Sequence, residues 1–578
     1  MDNPSDPQSD FSDSHSDFTP SETEVTEPSA EAEKKARTKV VKARAPRRKK
    51  TFEAEADPQS SHPEDEISQS SGRVSSSKES EQDSEDYAPG WSKRGETAEE
   101  IQSATQDEER PEHAERDEQG DHDEDEDDDD FDDDNEDGDE QEEEISKAPF
   151  GEDVPPPPEH ASLTELQKTP FYELVQLASK YGMYVSHERT RDEIVFELGR
   201  RFLILGGQVE ADGVLEMTAA HHGMLRWPHR NFRSGADDIY MSSGIIRAHN
   251  LRPGQKVRVA LKPPREVPDH NLVAVEVISI EGVPVADWKE PPDFESLTPC
   301  HPKDRLVLES SGSSDLVSAR VVDLVAPIGR GQRGIIVAPP RAGKTILLKE
   351  LAKALRLGNP EVVLLVLLVD ERPEEVTDFV RTVDAEVYSS TFDEAAPRHI
   401  QVAELLSERA KRLVELGKDV VIMLDSITRL ARGYNAMQPG KGRVMSGGVD
   451  TKALMKPKRF FSAARNVEEG GSLTILATAL VETESRMDDV IFEEFKGTGN
   501  MELHLDHELV ERRVYPAIHI LKSGTRKEEL LYHPEEMKKI SNLRKELLTK
   551  PPFEAMEELI SAVRHTRTNA ELLLTGLR

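Results

Sequence analysis

Three short, almost uninterrupted apolar runs stand out in the second half of the chain. They are Gly334 to Ala338 (GIIVA), Val362 to Val369 (VVLLVLLV) and Val420 to Leu424 (VVIML). Each run is too short to span a membrane, and its continuity is typical of a parallel strand buried on both faces. A helical pattern follows the first run. The sequence therefore predicts an α/β domain over residues 300–578 with a mostly parallel sheet.

The pattern differs upstream. From Ala161 to about Leu205 the apolar residues have helical spacing, and Ser162 with Glu165 forms a capping-box pattern. From Asp212 to about Gly282, apolar and polar residues alternate in short runs separated by turn residues. We expect a small helical module at residues 160–205 and a small β-barrel of the OB or cold-shock kind at residues 210–285.

Charge divides the chain at about residue 155. The formal net charge is −40, and residues 1–150 hold 50 of the 114 acidic residues but 17 of the 74 basic ones. This tail has almost no periodic apolar pattern, so we expect it to be disordered. Within it, Lys34 to Lys50 carries 10 basic residues. That segment either binds nucleic acid or neutralises the acidic run from Asp121 to Glu144.

Cysteine content and hydropathy indicate the compartment. Cys300 is the single cysteine, which rules out an internal disulfide framework and fits a reducing environment. No apolar run reaches about 18 residues, and the N-terminus has no charged-then-apolar leader. We expect a soluble, cytoplasmic protein.

The first apolar run leads into a candidate phosphate-binding loop, GIIVAPPRAGKTILL. Gly343 would let the backbone approach phosphates, Lys344 would supply a charge, and the Thr345 hydroxyl would be a ligand of Mg²⁺. Ala338 stands where the usual pattern has its first glycine. The sequence therefore predicts ATP and Mg²⁺ as cofactors, and the candidate nucleotide ligands here are Arg341, Ala342, Gly343, Lys344, Thr345 and Ile346.

Carboxylates follow the other two runs. Asp370 and Glu371 come after the second run, and Asp425 comes after the third. Because ligands of open α/β sheets bind at the carboxyl ends of strands, Asp425 is a candidate Mg²⁺ partner and Glu371 a candidate base for the attacking water. The alternative is that these residues are ordinary helix N-caps.

The barrel contains a basic and aromatic stretch, HHGMLRWPHRNFR. In it, Arg226, Arg230 and Arg233 alternate with Trp227 and Phe232. Single-stranded nucleic acid is bound by such surfaces, because bases stack on rings while phosphates contact cations. The alternative is a solvated strand and loop with one or two aromatic residues in the core.

The order of these regions and eight motifs closely resemble the family of bacterial transcription termination factors called Rho. The resemblance starts at about Leu163 and reaches the C-terminus, and the tail lies outside it. The motifs are VVDLVAPIGRGQR, APPRAGKT, LLVDERPEEV, STFDEAAPRHIQVAE, LDSITRLAR, RFFSAARNVEEGGSLTILATAL, EEFKGTGNMELHL and SGTRKEELL. The resemblance implies a RecA-like fold and a homohexamer that translocates 5′ to 3′ on nascent RNA and acts on RNA polymerase, with possible accessory factors.

The resemblance also implies residue roles. Arg526 matches the arginine finger, Arg372 a nucleotide sensor, Arg513 a position near the nucleotide, and Tyr515 the aromatic residue against adenine. Two pore loops that grip RNA match Gly440 to Val449, which contains Lys441 and Arg443, and the residues Lys496, Gly497 and Thr498. Arg226 and Tyr240 match the primary RNA site.

The primary RNA site is where the match is poorest. The family's stacking stretch, usually G-F-G-F-L-R, aligns here with His221 to Arg226 (HHGMLR), so His222 and Met224 replace both phenylalanines. Each lost stacking contact costs roughly 1–3 kcal/mol per base. We expect a weaker primary site unless Trp227 or the histidines compensate.

Two other functions fit parts of the sequence. A rotary-ATPase catalytic subunit would share the phosphate loop, but the barrel and the pore loops argue against it. An RNA-binding, condensate-forming protein with incidental ATPase activity would instead work mainly through its tail.

Overall fold

The computed structural model describes residues 154–577, apart from 187, 219–220, 264–270, 311–315 and 439–444. The disordered tail predicted for residues 1–155 lies outside these residues, except for its last two positions. In the described part of the chain, no helix is both long enough and apolar enough to cross a membrane.

The helical module forms where the capping residues predict it. The Ser162 hydroxyl accepts a hydrogen bond from the Glu165 amide at 3.4 Å, and Thr190 with Glu193 forms a reciprocal capping box. Each cap satisfies backbone groups that a helix end leaves unpaired. The elements are β1 (His160–Ser162), α1 (Leu163–Lys168), α2 (Phe171–Lys180) and α3 (Arg191–Ile204).

The barrel follows. Its elements are β2 (Gln208–Met217), β3 (Gly223–Arg226), β4 (Ile239–Met241), α4 (Ser243–Ala248), β5 (Lys256–Lys262), β6 (Leu272–Ile280) and β7 (Val283–Pro284). Within the described residues the strand order is β1-β2-β3-β4-β6-β5, and a pairing between β2 and β5 closes the barrel. The predicted OB-like barrel is confirmed.

One hydrophobic core joins the helical module to the barrel. Leu163 and Phe202 of the module belong to the same buried cluster as Leu225 of the barrel. A Cβ atom on Gly199 of α3 would lie 2.8 Å from Leu163 and 3.1 Å from Leu272 of β6, so the backbone of the helix approaches the barrel closely. Neither part has a complete core without the other.

The C-terminal region is built from nine strands and eleven helices among the described residues. The strands are β8 (Pro299–Cys300), β9 (Arg333–Ala338), β10 (Val363–Glu371), β11 (Glu386–Thr391), β12 (Asp419–Asp425), β13 (Arg465–Val467), β14 (Ser472–Leu480), β15 (Met501–His504) and β16 (Gly524–Thr525). The helices are α5 (Val317–Val325), α6 (Lys344–Gly358), α7 (Pro373–Thr382), α8 (Ala396–Glu415), α9 (Ile427–Ala436), α10 (Met455–Ser462), α11 (Arg486–Lys496), α12 (His507–Glu511), α13 (Pro534–Leu547), α14 (Pro552–His565) and α15 (Asn569–Thr575).

The sheet has the strand order β11-β10-β12-β14-β9-β15-β16 over the residues that the structure describes. Neighbours from β11 to β15 are parallel, β16 is antiparallel to β15, and β13 pairs antiparallel with β14 and β8. Helices connect the parallel strands, as parallel pairing requires. The predicted RecA-like α/β fold is confirmed.

Apolar side chains cover both faces of this sheet. Alternate residues of β10 enter two different cores, with Leu364, Val366 and Leu368 in one and Leu365, Leu367 and Val369 in the other. The prediction that these strands are buried on both faces is confirmed. The second core also contains Val214 and Phe232 of the barrel, so the barrel is packed into the C-terminal region.

Candidate nucleotide and RNA sites

The candidate phosphate loop connects β9 to α6. Two of its residues have left-handed backbones, Arg341 at φ 63° and Gly343 at φ 81°, and Gly343 is the N-cap of α6. This turn leaves the first amides of the helix free to face an anion. Ala338, which replaces the usual first glycine, is a buried residue of β9 paired with Leu480. Its strand conformation suits alanine, so the substitution is compatible with the loop.

The Lys344 ammonium lies between two carboxylates at the ends of neighbouring strands. Its Nζ pairs with Asp425 Oδ1 and lies 3.6 Å from Glu371 Oε2. Thr478 Oγ1 donates a hydrogen bond to Asp425 Oδ1 at 2.8 Å, and Arg429 Nη1 lies 3.4 Å from Glu371 Oε2. No sequence pattern indicated Thr478 or Arg429 as residues of the site. Arg429 could have been found, because it lies four residues after Asp425 on the next helix.

A β-bulge directs Glu371 into the site. The register of β10 with β11 shifts between Val369 and Glu371, and Asp370 between them has φ 56°. Because of the bulge, the side chains of Asp370 and Glu371 point in directions that differ from those in a regular strand. Glu371 is 4% exposed, whereas the Asp370 side chain is half-exposed. The buried Glu371 is therefore the carboxylate of the pair that faces Lys344.

The donor atoms fit a magnesium ion held partly by phosphate and water. Asp425 Oδ2 and Glu371 Oε2 are buried and have no hydrogen-bond partner among the described residues. The Thr345 hydroxyl donates to Glu375 Oε2 at 3.1 Å. No group of three or more His, Cys, Asp or Glu side chains in the described residues could hold a metal alone. Mg²⁺ commonly takes one or two protein ligands and completes its shell with phosphates and water.

A cavity of about 320 Å³ lies beside the phosphate loop. Ile346, which is 64% exposed, and Tyr515, which is 46% exposed, both line it. The Tyr515 ring lies 3.8 Å from where a Cβ atom on Gly343 would be. Arg513, at φ 60°, lines a neighbouring cavity of about 460 Å³ that shares Tyr515. Tyr515 therefore lines the cavity beside the phosphate loop, and Arg513 lines only the neighbouring cavity.

Arg526 lies level with the amino end of β9, whereas the phosphate loop lies at the carboxyl end of that strand. It follows β16, its amide donates to Asn500 O at 2.9 Å, and the Asn500 amide donates to Arg333 O at 2.9 Å. Arg333 begins β9, whereas the phosphate loop follows the last residue of that strand. Arg372 is exposed at the N-cap of α7, and its side chain has no hydrogen bond or ion pair with the described residues.

The structure corrects the expectation for Trp227. This side chain is 0% exposed and belongs to the core that the barrel shares with the helical module, so it cannot stack on a base. The prediction that it binds RNA is wrong. Alternation of basic and aromatic residues does not reveal which of the rings point inward.

The barrel face that matches the primary RNA site contains Tyr240, His222 and Met224. The rings of Tyr240 and His222 have centroids 5.1 Å apart, and Met224 pairs with Tyr240 across β3 and β4. All three are partly exposed. Stacking capacity on this face therefore comes from a tyrosine and a histidine.

Arg226 already has two carboxylate partners. Its Nε donates to Glu216 Oε2 at 2.5 Å, and its Nη1 pairs with Asp238 Oδ2. Burial raises the pKa of Asp238 to about 6, although the Arg226 guanidinium acts in the opposite direction. The charge of Arg226 is thus balanced within the barrel, and a phosphate must compete for it.

The two predicted pore loops are placed in part. Lys441 and Arg443 lie outside the described residues. Lys496 ends α11, where its Nζ lies 5.4 Å from the centroid of Phe492, and Gly497 and Thr498 follow. The described end of the first loop contacts the same helix, because a Cβ atom on Gly447 would lie 2.6 Å from Arg486 O.

Two family profiles match the chain. Residues 318–525 match the nucleotide-binding domain of the ATP synthase alpha/beta family. Residues 211–285 match the RNA-binding domain of Rho termination factor. The first range contains the phosphate loop with both carboxylates, and the second contains strands of the barrel.

The chain is also similar over most of its length to several proteins named transcription termination factor Rho. It is 54% identical to the Akkermansia muciniphila protein over 427 residues, 74% of this chain and 90% of that protein. It is 51% identical to the Pseudomonas aeruginosa protein over 411 residues, 71% of this chain and 98% of that one. The Escherichia coli K12 protein is 50% identical over 409 residues, 71% of this chain and 97% of that protein.

Proposed function

The chain belongs to the Rho family of transcription termination factors, and we propose that it ends transcription by hydrolysing ATP while it moves 5′ to 3′ along nascent RNA. It is an RNA-binding, RNA-dependent ATPase and helicase. The observation that carries the mechanism is the convergence of Lys344, Glu371 and Asp425 at the carboxyl ends of neighbouring parallel strands.

We infer the following roles in hydrolysis. Lys344 exchanges its contact with Asp425 for the β- and γ-phosphates, and the first amides of α6 bind the same oxygens. Glu371 orients the attacking water and accepts its proton, since its Oε2 is buried without a hydrogen bond. Thr345 and Asp425 would hold Mg²⁺, which when bound neutralises charge that develops on the phosphates.

Arg526 acts on the nucleotide of a neighbouring subunit. Its position at the amino end of β9 places it away from its own phosphate loop. A homohexameric ring, in which each subunit contributes Arg526 to the next site, gives the guanidinium a phosphoryl group to stabilise. In the same proposal Arg372, which is exposed and adjacent to Glu371 in sequence, senses the nucleotide at that interface.

RNA is held at two places in this proposal. The barrel binds the transcript through Tyr240 and Arg226, and the pore loops with Lys496 and Lys441 grip it during translocation. We propose a matching division into domains. It consists of a tail at 1–155, a helical module at 160–205, a barrel at 210–285 and an ATPase domain at 300–578. The proposed protein partner is the RNA polymerase that carries the nascent transcript. The proposed location of the protein is the cytoplasm.

The experiment is the ATPase rate of the full chain with and without a panel of homopolymer RNAs. RNA should raise the rate, and Lys344→Ala should remove hydrolysis with every RNA. Lys349→Ala is the matched control, because Lys349 lies on the same helix and pairs with Asp378 instead. A rotary-type subunit would hydrolyse ATP without responding to RNA, and a passive condensate-forming protein would bind RNA without faster turnover. A rate that no RNA changes refutes the proposal.

A further inference from the structure

Residues 388–401 of the C-terminal region form one continuous segment that contacts the barrel. Residues further along α8 also contact the barrel. Phe232 stacks on Tyr388 with ring centroids 4.8 Å apart. The Asn231 side chain accepts from the Ser389 amide at 3.1 Å and donates to the Ser389 hydroxyl at 3.2 Å. Arg233 pairs with Glu394. The turn that follows β3 is therefore fixed to β11 and to the start of α8.

Within this segment, Gln401 uses both ends of its amide. Its Nε2 donates to the two carboxylate oxygens of Glu216 at 2.8 and 3.1 Å. Its Oε1 accepts from Arg398 Nη1 at 2.9 Å. Glu216 is the same carboxylate that accepts from Arg226 at 2.5 Å. Gln401 is thus separated from a primary RNA-site residue by one side chain.

The same segment is hydrogen-bonded to the catalytic carboxylate's backbone. The Phe392 amide donates to Glu371 O at 3.2 Å, and Thr391 pairs with Glu371 across β11 and β10. A shift of residues 391–401 therefore moves the bulge that directs the Glu371 side chain towards Lys344. Sub-ångström displacement of a catalytic group is enough to change a rate, because the reaction depends on orientation.

An RNA phosphate and Glu216 compete for one guanidinium. Arg226 is 11% exposed as a side chain and its Nε and Nη1 already donate to carboxylates, so a phosphate that engages it weakens the contact with Glu216. A carboxylate that is largely withdrawn from water is stabilised by a cation, and the Glu216 side chain is 19% exposed, so a second cation stabilises Glu216 when its contact with Arg226 weakens. Arg398 is a candidate, because its Nε is buried without a hydrogen bond and has only a 4.0 Å ion pair with Glu394 Oε2.

The charge balance at Arg398 supports this exchange. Burial, together with the Arg233 charge, lowers the pKa of Arg398 to about 10, while Glu216 acts to raise it. Arg398 also donates to the Asn231 carbonyl. A movement of Glu216 towards Arg398 therefore acts on the beginning of α8 and on the turn of the barrel together.

We propose that Gln401 is a positioning residue that transmits RNA occupancy of the barrel, through Glu216 and the segment 391–401, to the catalytic Glu371. This inference rests on the proposed function, since it requires RNA to engage Arg226 and to stimulate hydrolysis. It adds a path by which the barrel changes the turnover number rather than only holding the transcript near the pore.

The test compares Gln401→Ala with Arg409→Gln in the full chain. Arg409 lies on the same helix and joins it to the barrel through Glu281, away from Arg226, so it is a matched control for docking of the barrel. RNA affinity is measured directly by fluorescence anisotropy, and ATPase rate is measured against RNA concentration. Thermal unfolding verifies that both variants are folded.

For Gln401→Ala we expect RNA affinity within about twofold of the unmodified chain, with the maximal RNA-stimulated rate lower by roughly 3- to 30-fold. The rate without RNA should stay the same, and Arg409→Gln should keep the stimulated rate. Equal losses in both variants, or no loss in Gln401→Ala, overturn the inference. Failure of the proposed function has a different signature, because RNA would then fail to stimulate the unmodified chain.

Discussion

Replacement of Arg526 by alanine should abolish RNA-stimulated hydrolysis while nucleotide binding and ring assembly persist. The six residues of β9 extend over about 17 Å at about 3.3 Å per residue. Arg526 lies level with the first of them, and the phosphate loop follows the last. This separation exceeds the length of an arginine side chain, so we expect the guanidinium to act on a neighbouring subunit's nucleotide.

The expected loss is large because an arginine finger contacts charge that develops in the transition state. Such residues contribute roughly 10³–10⁵ in rate, which corresponds to about 4–7 kcal/mol of barrier. The assay is steady-state ATP hydrolysis at saturating RNA, with nucleotide affinity measured separately. Lys527→Ala is the control, because Lys527 is the next residue and its Nζ lies 2.9 Å from His301 Nε2 outside the site.

Mixed rings decide between action within a subunit and action across an interface. When Arg526→Ala subunits are mixed in equal amounts with Lys344→Ala subunits, about a quarter of the interfaces of a head-to-tail ring combine an intact phosphate loop with an intact finger. Some activity should therefore return. If subunit exchange is verified and no activity returns, the argument from the position of Arg526 is refuted.

The remaining predictions concern single side chains. Glu371→Gln should lower hydrolysis by about 10²–10⁴ in rapid-quench assays while ATP still binds, and an unchanged rate would exclude it as the base. His222→Phe combined with Met224→Phe should tighten RNA binding by roughly 1–3 kcal/mol per stacked base in anisotropy titrations, and equal affinity would mean that this face holds no base. Trp227→Ala should destabilise the fold by about 3–5 kcal/mol in chemical denaturation, and weaker RNA binding at unchanged stability would contradict its role in the core. Burial raises the pKa of Asp238 to about 6, so protonation of Asp238 at lower pH should free the Arg226 guanidinium and tighten RNA binding. Asp238→Asn should weaken this pH dependence of RNA affinity. Identical pH profiles for the variant and the unmodified chain would contradict the prediction.

The sequence predicted those parts of the site that depend on local pattern. The turn at Gly343 and Lys344 follows from residue types that a phosphate loop requires, and Glu371 and Asp425 follow from the ends of apolar runs. The parallel sheet and the small barrel were likewise predicted from the spacing of apolar residues, whereas the RecA-like fold was implied by the family resemblance. In each case the signal is the type and spacing of residues that are close together in sequence.

The parts that the sequence did not reveal depend on contacts between distant segments. Trp227 was misassigned because its basic and aromatic neighbours were given more weight than the alternation of β3, whose buried positions Gly223 and Leu225 place Trp227 next on the inner face. Thr478 reaches Asp425 from a neighbouring strand 53 residues later, and no spacing rule predicts that pairing. The partners of Arg226 were similarly hidden, since Glu216 is on β2 and Asp238 lies immediately before β4.

The packing of Val214 and Phe232 into the core of the C-terminal region has a consequence for how such proteins can evolve. A recombination event that joined the barrel of one relative to the ATPase of another would have to match the ring of Phe232 to that of Tyr388. A mismatch would leave a cavity or an overlap, and either one destabilises a buried contact. We therefore expect these positions to change together among homologues, and the barrel to be inherited with its ATPase as one unit.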